Sequence, residues 1–314
     1  MSSGDPVVAA SRSGPAGGGP AGEEPRPGAA QASRSGGIGS LTAPSQVTAL
    51  LRRHGVTPDK GFSQNFLVDA AALRAILDAA EIDPRDTVFE AGPGLGVLTR
   101  ELASRAGRVV SVELDRRLAG VLAETLAGLD NVELVQGDAG RFDLTTLEPG
   151  ALMVANLPYS VATALVTRGL ESGRFKRMVF LVQREVADRL TASPGTSAYG
   201  ALTVLVEHFG VARSLRRVPP GAFLPPPKVT SAVVRIDVRQ GVAPDPELFA
   251  FIRAGFAHRR KTLVKNLVMT GFARDRVLTA LGRLSLDPRV RAEALDLNAF
   301  RQLRHELTDR TDRS

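Results

Sequence analysis

Thr87-Val-Phe-Glu-Ala-Gly-Pro-Gly-Leu-Gly-Val-Leu-Thr-Arg100 is the stretch that decides the fold. Residues 87–90 read as a buried strand, and a helical pattern opens at Val97. Between them, the spacing Glu90-x-Gly92-x-Gly94-x-Gly96 lets the backbone turn tightly and approach a ligand closely. The dinucleotide fingerprint G-x-G-x-x-G does not fit, because its last glycine would fall on Val97 or Thr99. Pro93 also removes an amide that a phosphate would use. The turn reads as the cradle of a nucleoside-containing cofactor at the end of a strand.

Working outward, further strands are expected at 108–113, 132–136, 152–155 and 178–182. Helical patterns at 97–104, 116–128, 162–171 and 184–191 follow four of the five strands. Buried strands alternating with helices predict an α/β fold with a parallel, doubly wound, Rossmann-like sheet. Two more apolar runs, 202–208 and 231–238, show no helix between them and are expected to pair antiparallel at one sheet edge. Upstream, helices are expected at 45–54 and 69–81. Gly241-Val-Ala-Pro-Asp-Pro246 breaks the chain, and Asp245 before Pro246 is a helix start. Beyond it the patterns at 247–269, 274–283 and 298–306 are all helical. The expected organisation is a tail over 1–40, an α/β domain over 41–242 and a small all-helical domain over 243–314.

Composition narrows the chemistry. The 314 residues are 43% apolar, ample for a core, and no run approaches the roughly 18 apolar residues of a membrane span. There is no cysteine, hence no disulfide or thiolate metal site, and the four histidines lack metal-ligand spacing. The net charge of +7 and a pI near 10.4 favour an acidic partner, nucleic acid first. Residues 1–40 hold ten Gly and five Pro, and cannot bury enough apolar surface to fold alone. No apolar core follows Met1, so no secretory leader is expected.

Three acids stand at successive strand ends. Glu90 heads the glycine turn, Glu113 ends the second strand, and Asp138 ends the third. A carboxylate at Glu113 is placed to accept ribose hydroxyls, and one at Asp138 to accept the amino group of the cofactor's adenine. After the fourth strand comes Asn156-Leu-Pro-Tyr159. The Asn156 amide oxygen and the Leu157 carbonyl suit the two hydrogens of an exocyclic amino group. Holding both favours a pyramidal nitrogen whose lone pair points at an incoming methyl group. Pro158 stiffens the turn and Tyr159 offers a face for stacking; an ordinary tight turn with a core tyrosine is the plainer alternative. Phe223, in Ala222-Phe-Leu-Pro-Pro-Pro-Lys-Val229, is either a second stacking face or a core plug. Residues 251–268 carry Arg253, Arg259, Arg260, Lys261 and Lys265 and no acid, beside an apolar stripe of Phe249, Ile252, Phe256, Leu263 and Leu267. That reads as a cationic helix contacting phosphates, or as a solvated basic face.

The E-x-G-x-G-x-G turn resembles the first motif of S-adenosylmethionine methyltransferases, whose cofactor is a phosphate-free sulfonium and needs no Lys or Arg beside the glycines. The whole set resembles the ribosomal RNA adenine dimethyltransferase family, and most closely its small-subunit, kasugamycin-resistance branch. The resemblance runs from about residue 45 to 307. It is carried by Ser63-Gln-Asn-Phe-Leu67, residues 90–96, Glu113, Asp138-Ala139, residues 156–159, residues 222–229 and Phe256-Ala-His-Arg-Arg-Lys-Thr-Leu263. The last two segments are the more specific for that branch. The resemblance implies a methyltransferase in which Asn65, Leu67, Gly92, Glu113, Asp138 and Asn156 hold S-adenosylmethionine. It implies two methyl groups on each of two adjacent adenosines in the 3′-terminal hairpin of 16S rRNA, within an immature small subunit. Phe223, Arg259, Arg260 and Lys261 would meet RNA, with no metal and no membrane. A cytoplasmic monomer is expected. Ser63 and Ser160 depart from the family's usual residues. Competing readings are a macrolide-resistance 23S rRNA methyltransferase, an assembly factor with dispensable catalysis, and a protein-glutamine methyltransferase, against which the basic C-terminal segment speaks.

Overall fold

A computed structural model describes residues 41–59, 64–158 and 160–308. The expected 1–40 tail, Ser63 and Tyr159 lie outside the described residues. From Ile38 onward the chain forms one compact unit.

In chain order, α1 (Pro44–Arg53) precedes the short strand β1 (Phe66–Leu67) and α2 (Ala70–Ala80). The alternating part follows as β2 (Thr87–Ala91), α3 (Val97–Ala103), β3 (Arg108–Glu113), α4 (Ala119–Thr125), β4 (Val132–Gln136), β5 (Ala151–Asn156), α5 (Ala162–Glu171), β6 (Phe175–Gln183) and α6 (Arg184–Leu190). Then come α7 (Ala201–Phe209), β7 (Gly210–Val218), β8 (Phe223–Leu224) and β9 (Ser231–Val238). The chain closes with α8 (Pro246–Gly255), α9 (Leu263–Met269), α10 (Arg274–Arg283) and α11 (Leu297–Thr308).

Seven strands form one sheet in the order β4-β3-β2-β5-β6-β9-β7. The first five run parallel, and β9 and β7 add antiparallel. This is the expected doubly wound α/β sheet. Strand order reverses between β2 and β5, so the crevice at their carboxyl ends is where a ligand binds in such a sheet. Alternation along the strands feeds two layers. Val88, Leu152, Val154 and Val179 face the layer containing α1 and α2 residues; Phe89, Met153 and Phe180 face the other. The second layer continues without a break into Phe249, Ile252, Leu263, Leu267, Leu281 and Phe300 of the C-terminal helices.

Local chemistry sets the helix starts. Asp69 accepts the Ala72 N–H at 2.7 Å to cap α2. Asp245 accepts the Leu248 N–H at 2.9 Å, with Pro246 in the first turn, to start α8. Thr262 caps α9.

Three expectations fail. The run at 202–208 is helix, within α7, rather than an edge strand. Nearly all of it is buried, including Leu202, Val204, Leu205 and Val206, so no polar face marks the helical period. The true partner of 231–238 is β7, whose Arg213, Ser214, Arg216 and Arg217 are exposed and disguise a strand as a polar loop. The single helix expected at 247–269 is two, broken across 256–262. The apolar stripe is nevertheless buried apart from half-buried Phe256, because both helices turn their apolar faces to one layer.

Candidate active site

The glycine turn and the 156–159 segment meet at the expected crevice. One cleft is lined by Gln64, Asn65, Leu67, Glu90, Gly92, Gly94, Glu113, Asn156, Leu157 and Pro158, with Phe66, Pro93, Leu95, Val97, Leu98 and Leu118. Gly94 has φ +61, and a side chain there would meet the Phe66 ring at 3.3 Å. Glycine is therefore required both by backbone conformation and by the approach of β1. Gly92 donates to the Val112 carbonyl at 2.9 Å, tying the turn to β3, and Pro158 stands 4.0 Å from where a Gly92 side chain would begin.

Two buried carboxylates dominate the electrostatics. Glu113 is 7% exposed; its Oε2 accepts the Gly94 N–H at 3.1 Å and its Oε1 the Asp115 N–H at 2.8 Å. Burial pushes its carboxyl above the usual range against the pull of these bonds. Glu90 is 1% exposed, and its Oε2 accepts from both Ser111 and Thr99 hydroxyls at 2.7 Å. Burial, helped by neighbouring Glu113, pushes Glu90 up to about 7. Among the described residues, no Lys or Arg lines the cleft. A buried pair of acids without cations suits a positively charged, phosphate-free nucleoside and would repel a nucleotide phosphate.

Asn156 ends β5, and its Nδ2 donates to the Asn65 carbonyl at 3.2 Å, so Oδ1 is the atom offered to a donor. Leu157 is anchored by its N–H to the Leu181 carbonyl at 3.1 Å. Asn65 itself is held by the two-stranded ribbon of β1 and β8, in which Leu67 pairs with Phe223 and the Val68 N–H reaches the Ala222 carbonyl at 2.8 Å. Gln64 anchors the same strand by donating to Asp115 at 2.7 Å.

The structure brings together Asn65, Leu67, Gly92, Glu113, Asn156, Leu157 and Pro158. Phe223 is buried at 3% exposure and packs in the core rather than lining the cleft, which is the core-plug alternative. Asp138 does not line the cleft either: half-exposed, it accepts its own loop's Gly140 N–H at 2.8 Å and sits 3.7 Å from Arg141. The basic residues 259–261 lie on the 256–262 turn, not on a helix. Arg259 donates to the Ser197 and Tyr199 carbonyls at 2.6 and 2.8 Å, and the Lys261 ammonium lies 3.4 Å from Met269 Sδ. Arg260 is exposed. Gln64 was missed as a cleft residue, although it precedes Asn65; Glu90 was read as the head of the glycine motif, without a contact of its own.

Comparison with known proteins agrees with this geometry. The family model for ribosomal RNA adenine dimethylase matches residues 57–308. Ribosomal RNA small subunit methyltransferase A of Deinococcus radiodurans is 47% identical over 83% of this chain and 89% of its own. The protein of that name from Pelotomaculum thermopropionicum is 43% identical over 86% and 98%. Among solved structures, a dimethyladenosine transferase from Plasmodium falciparum superposes with TM-score 0.66 at 28% identity, covering 76% of this chain and 95% of that one. The 23S rRNA methyltransferase ErmE superposes with TM-score 0.62 at 29% identity, covering 78% and 100%. With the cleft, the sheet and most of the chain in agreement, the protein belongs to the ribosomal RNA adenine dimethylase family.

Proposed function

We propose that this enzyme methylates the 6-amino groups of two adjacent adenosines in the 3′-terminal hairpin of 16S rRNA, in an immature small subunit, using S-adenosylmethionine. The observation that carries the reading is the meeting of Asn156 with the glycine turn in a cleft lined by the buried acids Glu90 and Glu113. The relatives at 47% and 43% identity, named for the small subunit, favour that RNA over the large-subunit one.

Bound S-adenosylmethionine would supply an electrophilic methyl group on a cationic sulfur. Glu113 is suited to the ribose hydroxyls, since it lines the cleft and the Gly94 and Asp115 N–H groups fix the orientation of its carboxylate. Gly92, Asn65 and Leu67 wall the same cleft. Asn156 Oδ1 and the Leu157 carbonyl accept the two amino hydrogens of the target adenine. Fixing both aligns the nitrogen lone pair and lowers the barrier through position and electrostatics. Tyr159 stacks on the base. Residues 41–242 carry the chemistry; residues 243–314, with Arg260 and Lys261, dock on the particle. Among the described residues no helix is long and apolar enough to cross a membrane, and no cluster of acids and histidines is arranged to hold a metal. We place the protein in the cytoplasm as a monomer.

The test is incubation with methyl-labelled S-adenosylmethionine and each ribosomal RNA, free and in subunits, followed by mapping of the label. Label on adjacent adenosines of 16S rRNA is expected. Label on protein-free 23S rRNA alone would overturn the assignment.

A further inference from the structure

The sheet carries a basic edge that the reaction itself does not use. β7 is the outermost strand, and its residues 213–217 are all exposed, carrying Arg213, Arg216 and Arg217. A register shift between Ser214 and Arg216 bulges Leu215, so the edge is irregular and charged, which disfavours pairing with another strand. Arg213 sits 3.5 Å from Asp237; Arg216 and Arg217 make no ion pair among the described residues.

Register fixes where this edge lies. Asn156 is aligned with Leu181, Leu181 with Val233, and Val233 with Arg216. Asn156 and Arg216 thus share one row across four strands, three spacings or about 14 Å apart. Between them, at the end of β6, a polar groove is lined by Gln183, Arg184, Thr230, Lys228 and Arg259. Four cations, Arg184, Arg189, Lys228 and Arg259, line it against two acids, Glu185 and Asp188, the latter 3.5 Å from Arg184, so the groove carries a net positive charge. Arg259 is fixed to backbone carbonyls, whereas Lys228 is exposed at the groove.

We propose that Lys228, Arg216 and Arg217 form a phosphate-binding track that holds the RNA backbone flanking the adenine presented to Asn156. This rests on the RNA-methyltransferase reading above and adds a contact surface on the sheet edge, which adjoins the 256–262 turn at Arg259. Cations without a base-specific hydrogen-bond pattern position RNA and do not read its sequence.

The experiment uses the full chain, small-subunit particles and the variant Arg216→Gln/Arg217→Gln/Lys228→Gln. Affinity is measured across a salt series, and S-adenosylmethionine binding by calorimetry. Counterion release predicts a slope of log affinity against log salt flattened by about 2–3, at 0.7–0.9 per lost contact. Cofactor affinity should stay within about twofold, since none of the three lines the cleft. A control, Arg85→Gln/Arg105→Gln, removes two charges just before β2 and β3, at the opposite end of the sheet, and should leave the slope nearly unchanged. An unchanged slope in the triple variant overturns the track. So does equal flattening in the control, or a loss of affinity independent of salt, which would mean strand pairing or packing. Wild-type labelling of 16S rRNA with an unaltered slope in the triple variant would defeat the track alone; absence of labelling in wild type would defeat the enzymatic reading.

Discussion

Glu90 is fixed by two hydroxyl donors inside the protein and has a carboxyl pushed up to about 7 by burial. Its unfolded value is near 4.3, so the folded state binds its proton more tightly. The sign follows: its stabilising contribution is complete below about pH 4 and is lost as pH rises through 7. The swing is on the order of 3 kcal/mol between those limits. Melting temperature should fall from pH 5 to pH 8, and Glu90→Gln, which still accepts from Ser111 and Thr99, should remove much of that fall. Parallel curves for the two proteins would mean that Glu90 is not the group responsible. For Glu113→Ala, calorimetry should show S-adenosylmethionine affinity reduced about tenfold or more, as charge-assisted hydrogen bonds contribute about 1.5–3 kcal/mol. Unaltered affinity removes Glu113 from the ribose. Asn156→Ala should lower the single-turnover rate by about 100-fold or more with RNA affinity retained; a rate within about threefold of wild type rejects its role. Most of this cleft was legible because glycine spacing and strand-end acids are local signals. Asp138 and Phe223 were not, since neither the direction of a strand-end carboxylate nor the depth of a loop phenylalanine is encoded nearby. Glu90 was read as part of a motif, and only the fold reveals its burial beside Glu113.

The 256–262 turn separates two roles that the sequence merges into one basic run. Asn266, 1% exposed, donates to the Gly255 carbonyl at 2.6 Å and the His258 carbonyl at 3.2 Å, holding the turn from beneath. Arg259 then clamps the segment before α7 through Ser197 and Tyr199. Arg259→Gln should therefore lower thermal stability by about 1–3 kcal/mol, the range for hydrogen bonds from a charged donor. Arg260→Gln should change stability by less than about 0.5 kcal/mol, as at an ordinary surface site, yet flatten the salt slope of particle binding by about 0.7–0.9. Thermal melts together with a salt series on the two single variants decide it. If Arg260→Gln destabilises and Arg259→Gln does not, the roles are reversed and the turn is misread. The same element-level blindness explains the errors at α7 and β7. A helix buried on most sides loses its period, and an edge strand whose side chains face water loses its alternation. By contrast β2, β3, β4 and β5, short apolar runs between breakers, were placed to within a residue or two.

At the scale of the molecule, the sheet and the C-terminal helices share one core. Phe209 of α7 and Phe249 of α8 have ring centroids 5.6 Å apart, and His208 packs edge-on to Phe249 at 5.0 Å. Arg301 of α11 reaches His208 Nδ1 at 3.0 Å, and Arg304 reaches Asp245 at 2.8 Å. One buried apolar cluster holds strand residues such as Phe89 together with Phe300 of the last helix. Removing the chain after 242 would uncover Phe209 and Leu205, each about 1.5–3 kcal/mol of burial, against a typical total stability of only about 5–15 kcal/mol. A fragment ending there should lack a cooperative melt. The full chain should unfold in one calorimetric transition whose measured enthalpy equals the van't Hoff value. S-adenosylmethionine gives the sharper reading. At about 100 times its dissociation constant it stabilises whatever it binds by about 2.7 kcal/mol. If the C-terminal helices melt with the sheet, the single transition moves up as a whole. If they melt alone, calorimetry shows two transitions and only the one containing the cleft moves, and the shared core is then not cooperative.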